Sequence, residues 1–238
     1  MRMTPQLYTA HLPGGSAAVM DTRTGRGRWR HFNTTAAHLW KQLADGIPLD
    51  QALDDLTDHF VRQGANRDTV RADLETLAGQ LRDTGLLTAH ISTPPSPTTP
   101  EARPPLPADT PLGVADRIAG LLGLTTALIL LRCAPIRISI AVAGALGRTN
   151  RPAASGEQAD LLFHAVRHSG RFWPGRAACL EESLAAYVAA ILRGRRVTWV
   201  IGARTAPAAA HAWIEAGGEV VGQDLADRLW PYAPALRV

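Results

Sequence analysis

Eight of the chain's seventeen prolines fall in one stretch, "TAHISTPPSPTTPEARPPLPADTPLG", residues 88–113. Proline fixes φ and carries no backbone N–H, so this density bars both a helix and a central strand. The segment reads as an extended, semi-rigid tether. It divides the 238 residues into an N-terminal unit over 1–90, a linker over 91–112 and a C-terminal unit over 113–238. Each flanking unit is long enough to bury a core of its own.

Composition narrows the setting. Two cysteines, Cys133 and Cys179, make no disulfide framework, and a reducing cytoplasm is the natural compartment for them. The opening "MRMTPQLYTAHLPGG" has no continuous apolar core of a secretory signal. The net charge of +4 is spread out: residues 1–90 balance ten basic against ten acidic side chains, and no basic run exceeds two residues. That pattern is a solvated basic face, not a nucleic-acid stripe. The apolar run "IAGLLGLTTALILL", 118–131, is fourteen residues long, short of the roughly eighteen that span a bilayer. With "ISIAVAGALG" after it, the run predicts a pair of buried helices, or a peripheral docking surface, with Cys133 in the core between them.

The N-terminal unit is written as three strands and then three helices. "LYTAHLP", "SAAVMD" and "GRWRHFN" read as short strands, the last two separated by the turn signal Asp21-Thr22-Arg23-Thr24-Gly25. Asn33-Thr34-Thr35 supplies N-cap candidates for the first helix and Gly46 its stop. The second helix places Leu49, Leu53, Leu56 and Phe60 on one face and ends at Gly64. The third carries Val70, Leu74, Leu77 and Leu81 at helical spacing and stops at Gly85. This is a winged-helix-like layout, which raises DNA as a partner. The third helix, however, sets Arg67, Arg71 and Arg82 against Asp68, Asp73, Glu75 and Asp83, leaving no surplus charge for phosphate.

That order of elements, with "VMDTRTGRGRWRHFNTTAAHLW" and the closing "LRDTGLL", resembles the PqqD-like leader-recognition domain of peptide natural-product pathways, over nearly all of residues 5–88. The resemblance implies a binding module. The leader of a precursor peptide would add as a fourth strand, its main chain giving affinity and side-chain pockets giving selectivity. The receiving edge would be Arg28–Phe32, with the groove between it and the third helix. Trp29, Arg30, Phe32, Val70 and Leu74 are the candidate leader contacts; for Trp29 and Phe32, core packing accounts for the residue equally well.

In the C-terminal unit, "RFWPGRAACLEESLAAYVAAILRGRRVTWVIGAR" reads as loop, helix, turn and strand, with Cys179 in the helix's first turn. Unsatisfied N–H groups and the positive dipole end favour a thiolate there, which is the nucleophilic form. Packing as a small buried hydrophobe is the other reading of a lone cysteine. Downstream, "HAWIEAGGEVV" reads as a hairpin turning at Gly217-Gly218, with His211, Trp213 and Glu215 on one strand face. A strand histidine facing the helix N-terminus would complete a Cys–His pair. Glu181 and Glu182 read as surface acids offsetting the helix dipole. His164 and His168, one turn apart, lack a third ligand nearby and read as packing or solvated residues.

"CLEESLAAYVAAILRGRRVTWVIGAR" followed by "AHAWIEAGGEVVGQ" resembles the transglutaminase-like cysteine peptidase that removes leaders in lasso-peptide biosynthesis. The resemblance implies an α+β fold: a small winged-helix-like domain of three strands and three helices, plus a transglutaminase-like (papain-like) domain. It implies Cys179 as nucleophile, His211 as base and an acid on the next strand as third member. Simple register puts Gln223 at that position with Asp224 immediately after it. Adjacent strand residues face opposite sides, so only one can address His211 unless the strand bulges. Gly222 makes such a bulge cheap, which favours Asp224. The chemistry implied uses no cofactor and no metal. The partners implied are a precursor peptide and a separate ATP-dependent macrocyclase, with 113–150 a docking surface for the latter.

Overall fold

In the computed structural model, residues 6–87, 91, 95, 101–103, 105–173, 175, 178–222 and 232–238 are described. The N-terminal unit forms a three-stranded antiparallel sheet of β1 (Leu7–His11), β2 (Ala17–Asp21) and β3 (Arg28–Phe32), in the order β1-β2-β3. Three helices follow: α1 (Thr34–Ala44), α2 (Leu49–Arg62) and α3 (Arg67–Asp83). Two of them start on the same device. Asn33 accepts from the Ala36 N–H at 2.9 Å and Asn66 from the Thr69 N–H at 3.1 Å, each satisfying an amide that the helix leaves without an acceptor.

Alternation along these strands gives the sheet two faces with different neighbours. Leu7, Val19 and Phe32 meet Leu39, Trp40, Leu53, Leu56, Leu74 and Leu81 of the unit's own helices. Tyr8, Ala10, Ala18 and Met20 point the other way, into a core shared with the C-terminal unit, where Trp29 also packs. The sheet is therefore a middle layer, buried on both sides.

The C-terminal unit brings four helices and a five-stranded sheet. Its helices are α4 (Val114–Cys133), α5 (Ile136–Gly147), α6 (Gly156–Gly170) and α7 (Cys179–Leu192). The strands β4 (Glu101–Ala102), β5 (Thr198–Thr205), β6 (Ala208–Ala216), β7 (Glu219–Val221) and β8 (Ala233–Arg237) take the order β4-β7-β6-β5-β8. The β6–β7 hairpin turns at Gly217 and Gly218, both with positive φ, as a two-residue turn of this hand requires. Strand β8 also lies against β1, so the two sheets meet there.

Three expectations need correcting. The apolar run does not stop after fourteen residues: α4 is a single twenty-residue helix of mean hydropathy 1.7, long and apolar enough to cross a membrane by length and composition. One face is buried because Gly120 and Gly123 let it approach α6 and α7 at backbone contact; an added Cβ would stand 2.7 Å from the Ala165 carbonyl and 2.5 Å from the Ala185 oxygen. Its other face leaves Val114, Ile118, Leu121, Leu122 and Ile129 exposed, so the helix pair is half-buried. Cys133, at the end of α4, is exposed and not in the core. Finally, the proline-rich segment is more than a connector. Residues 101–102 run parallel to β7, and Arg103 bridges Asp160 of α6 at 2.8 Å and Glu219 at 2.7 Å. Proline density excludes a central strand and leaves an edge strand open.

Candidate active site

Cys179 is the first residue of α7, half-exposed, and forms no disulfide with Cys133. The residue before it, Ala178, has no side-chain acceptor to offer the first-turn amides. The helix start is held instead by Glu181, whose carboxylate accepts from the Ala178 N–H at 3.2 Å. From the strand side, Trp199 of β5 donates its indole N–H to the Ser183 hydroxyl at 3.0 Å, tying the sheet to the same turn. Further along α7, Tyr187 donates to the Ala143 carbonyl of α5 at 2.7 Å, and burial pushes its phenol above the usual value. The cysteine thus sits on a helix end fixed by buried polar contacts.

Glu181 is not the surface acid that its position suggests. It is only 3% exposed and forms an ion pair with Arg26 at 2.7 Å. Arg26 lies in the β2–β3 turn of the N-terminal unit, 155 residues away in sequence, and that separation hid the pair from any local reading. Glu182 fits the expectation better, pairing with Arg167 of α6 on the partly exposed side at 3.1 Å.

His211 is half-buried on β6, opposite Gly202 of β5. Its ring stacks near-parallel to Trp213 at 6.0 Å and lies 5.1 Å from Tyr232, over which Arg204 sits at 4.9 Å. On the same face Glu215, buried, accepts from the Trp213 indole at 2.9 Å and pairs with Arg237. Helix α7 lies directly against β6, but the residues filling that contact are Ala212 and Ile214. Alternation sends His211, Trp213 and Glu215 to the opposite face, with Val200 and Val220. Ala212 and Ile214 thus fill the α7 contact, and His211 shares the other strand face with Trp213 and Glu215, as the spacing in the sequence predicts.

Strand β7 is followed by Gly222, which has φ +70°, a conformation open to glycine, and whose missing Cβ would fall 2.2 Å from the Phe163 ring. Gln223 and Asp224, the two candidates for the third member, lie outside the described residues. Of the two helix histidines, His164 is buried on α6 and its pKa is lowered, first by burial and then by the nearby Arg171, His168 and Arg167.

The second feature is a groove of about 730 Å³ between β3 and α3. Arg30, His31, Phe32, Leu74, Leu77, Gln80 and Thr84 are among its lining residues. Among the described residues strand β3 pairs only with β2, so its other edge faces this groove. Arg30, Phe32 and Leu74, three of the candidate leader contacts, line this groove, whereas Trp29 packs against the core shared by the two units and Val70 among the N-terminal helices.

Comparison with known families follows the same division. Residues 17–87 match Coenzyme PQQ synthesis protein D (PqqD), and residues 121–237 match the Transglutaminase-like superfamily, which includes cysteine peptidases and acyltransferases. No curated protein and no solved structure matches the chain. PqqD domains bind precursor peptides in the biosynthesis of ribosomally made, modified peptides, and the pairing fits processing of such a peptide. The chain is a fusion of a PqqD domain with a transglutaminase-like domain.

Proposed function

We propose that this chain is a leader peptidase of lasso-type ribosomal peptide biosynthesis. The leader of the precursor adds as a strand along β3 and fills the groove toward α3, while Cys179 cuts the bond between leader and core. The observation that carries this reading is one chain holding both an open sheet edge over a peptide-sized groove and a cysteine at the N-terminus of a packed helix. Holding the leader on the same chain raises the effective concentration of the scissile bond to about millimolar for a short span.

In the proposed mechanism the Cys179 thiolate attacks the scissile carbonyl carbon, forming the C–S bond of a tetrahedral adduct. The adduct expels the core's amine as the C–N bond breaks, and the amine takes a proton from the His211 imidazolium. Water, deprotonated by the then neutral imidazole, attacks the thioester, releasing the leader's carboxylate and restoring the thiol. Asp224 orients the ring and stabilises its charged form, a role a carboxylate fills better than the amide of Gln223. The freed amine is then a substrate for a separate ATP-dependent cyclase, for which the exposed face of α4 offers an apolar docking surface.

The test is to incubate the precursor peptide from the source genome with the protein, with Cys179→Ala and with His211→Ala, and to weigh the products. Cleavage at one bond by the unaltered protein alone supports the reading. An amine adduct in place of a free leader carboxylate turns it toward acyl transfer. Peptide binding with no cleavage by any of the three sinks the peptidase assignment and leaves a leader-delivery scaffold.

A further inference from the structure

The β2–β3 turn, residues 22–27, is gripped from two sides. Arg23 is held by both oxygens of Asp21, at 2.9 and 2.6 Å, and donates to the carbonyls of Gly85 at 2.7 Å and Thr84 at 3.1 Å. Those carbonyls end α3, a wall of the peptide groove, and Thr84 itself lines it. From the other side, the Gly25 carbonyl accepts from the Ile136 N–H, the start of α5, at 2.8 Å. Arg26 reaches on to Glu181 in the first turn of α7. The contacts of Arg23 and Arg26 thus connect the groove, through four residues, to the turn that carries Cys179, while that of Gly25 ties the β2–β3 turn to α5.

The charge on Glu181 matters for that cysteine. A carboxylate two residues beyond the thiol, on the same helical turn, opposes formation of a thiolate by like-charge repulsion. It cannot be dispensed with, because one oxygen accepts from the Ala178 N–H and fixes the helix start. Arg26 resolves the conflict: it neutralises Glu181 through the other oxygen and leaves the capping bond intact. Glu182, also in this turn, has its own partner in Arg167. A cation from the recognition domain therefore completes the electrostatics of the catalytic helix.

We propose that Arg26 of the PqqD domain is a positioning residue for Cys179, neutralising the buried Glu181 carboxylate so that the thiol at the start of α7 ionises. This rests on the reading of Cys179 as nucleophile, but its test needs no substrate. Full-length protein and its Arg26→Gln, Arg26→Lys, Glu181→Gln and Arg26→Gln/Glu181→Gln variants are alkylated with iodoacetamide across a range of pH, and modification of Cys179 is followed by peptide mass spectrometry. The exposed Cys133 serves as internal control in each sample. Arg26 is 51% exposed, so replacing it by the shorter, uncharged glutamine removes the charge with little loss of packing.

At a pH below the alkylation midpoint, Arg26→Gln slows Cys179 alkylation by about threefold or more, while Glu181→Gln, which keeps the capping oxygen, speeds it. The double variant returns toward the unaltered rate, Arg26→Lys restores it, and Cys133 does not change. Changes of the same sign in both single variants, or no change in either, overturn the proposal, since a purely structural contact loses something whichever partner is removed. The two readings fail separately. Unchanged alkylation beside intact leader cleavage sinks this inference alone. Opposed alkylation shifts beside absent cleavage sink the peptidase reading and leave the charge relation standing.

Discussion

Met20 of β2 is 1% exposed, yet it packs away from its own helices and into the core shared with the transglutaminase-like domain. Truncation to alanine removes three heavy atoms from a site walled on one side by the sheet and on the other by the second domain. Loss of a buried Met side chain costs about 2–5 kcal/mol, cavity included. For a chain of this size each kcal/mol lowers the thermal midpoint by about 2–4 °C, so Met20→Ala should lower it by about 4–20 °C. Hydrogen exchange read by mass spectrometry along a urea titration shows where the loss is felt. Amides of α7 and β5 should lose protection at the same lowered urea concentration as those of β1 and β2, because one core links them. If exchange rises in the N-terminal elements while α7 and β5 keep their original midpoint, the two domains unfold independently and the shared core contributes nothing.

Leu77→Glu, on the α3 wall of the groove, should weaken binding of the precursor peptide by about tenfold in fluorescence anisotropy, read well below a thermal midpoint that also falls because Leu77 packs on the helical core. Asp224→Ala should lower turnover far more than Gln223→Ala in a cleavage assay; the reverse ranking reassigns the third member. His164 has a lowered pKa, so the folded chain binds a proton there less readily than the unfolded chain. Its stabilising contribution is complete above the ordinary value of 6.5 and is lost as pH falls toward the lowered one. Urea midpoints measured from pH 7.5 down to 5.5 should therefore fall less steeply in His164→Gln than in the unaltered protein.

How much of this was legible in the sequence depended on how far apart the interacting residues lie. The N-terminal domain was readable almost element by element because its signals are local. Asn33 and Asn66 cap within three residues, and the glycines at 46, 64 and 85 each take the positive φ that ends a helix. Cys179 at a helix start was equally local. Strand β8 was not foreseen, since three of the five residues in "APALR" are of types disfavoured in strands and the segment owes its place to the edge of β5. The double burial of the first sheet escaped notice because Tyr8, Ala10, Ala18 and Met20 look like any alternating strand, whatever covers them. Alternation made the shared face of His211, Trp213 and Glu215 legible, but which layer that face meets is decided by the packing of Ala212 and Ile214 on α7, which the spacing does not encode. The Arg26–Glu181 pair had no sequence signal at all.

The contact between β1 and β8 joins the first strand of the chain described to the last. Pairings between segments so remote form late, because the closing of a long loop has to precede any gain from the contact. During synthesis the PqqD domain can assemble its helices on one side of its sheet as soon as residue 87 has emerged. Tyr8, Ala10 and Met20 on the other side then stay in water until α7, β5 and finally β8 arrive. For that interval the nascent chain presents a flat apolar sheet, and it is there, rather than at the half-covered α4, that a chaperone would find its most persistent handhold.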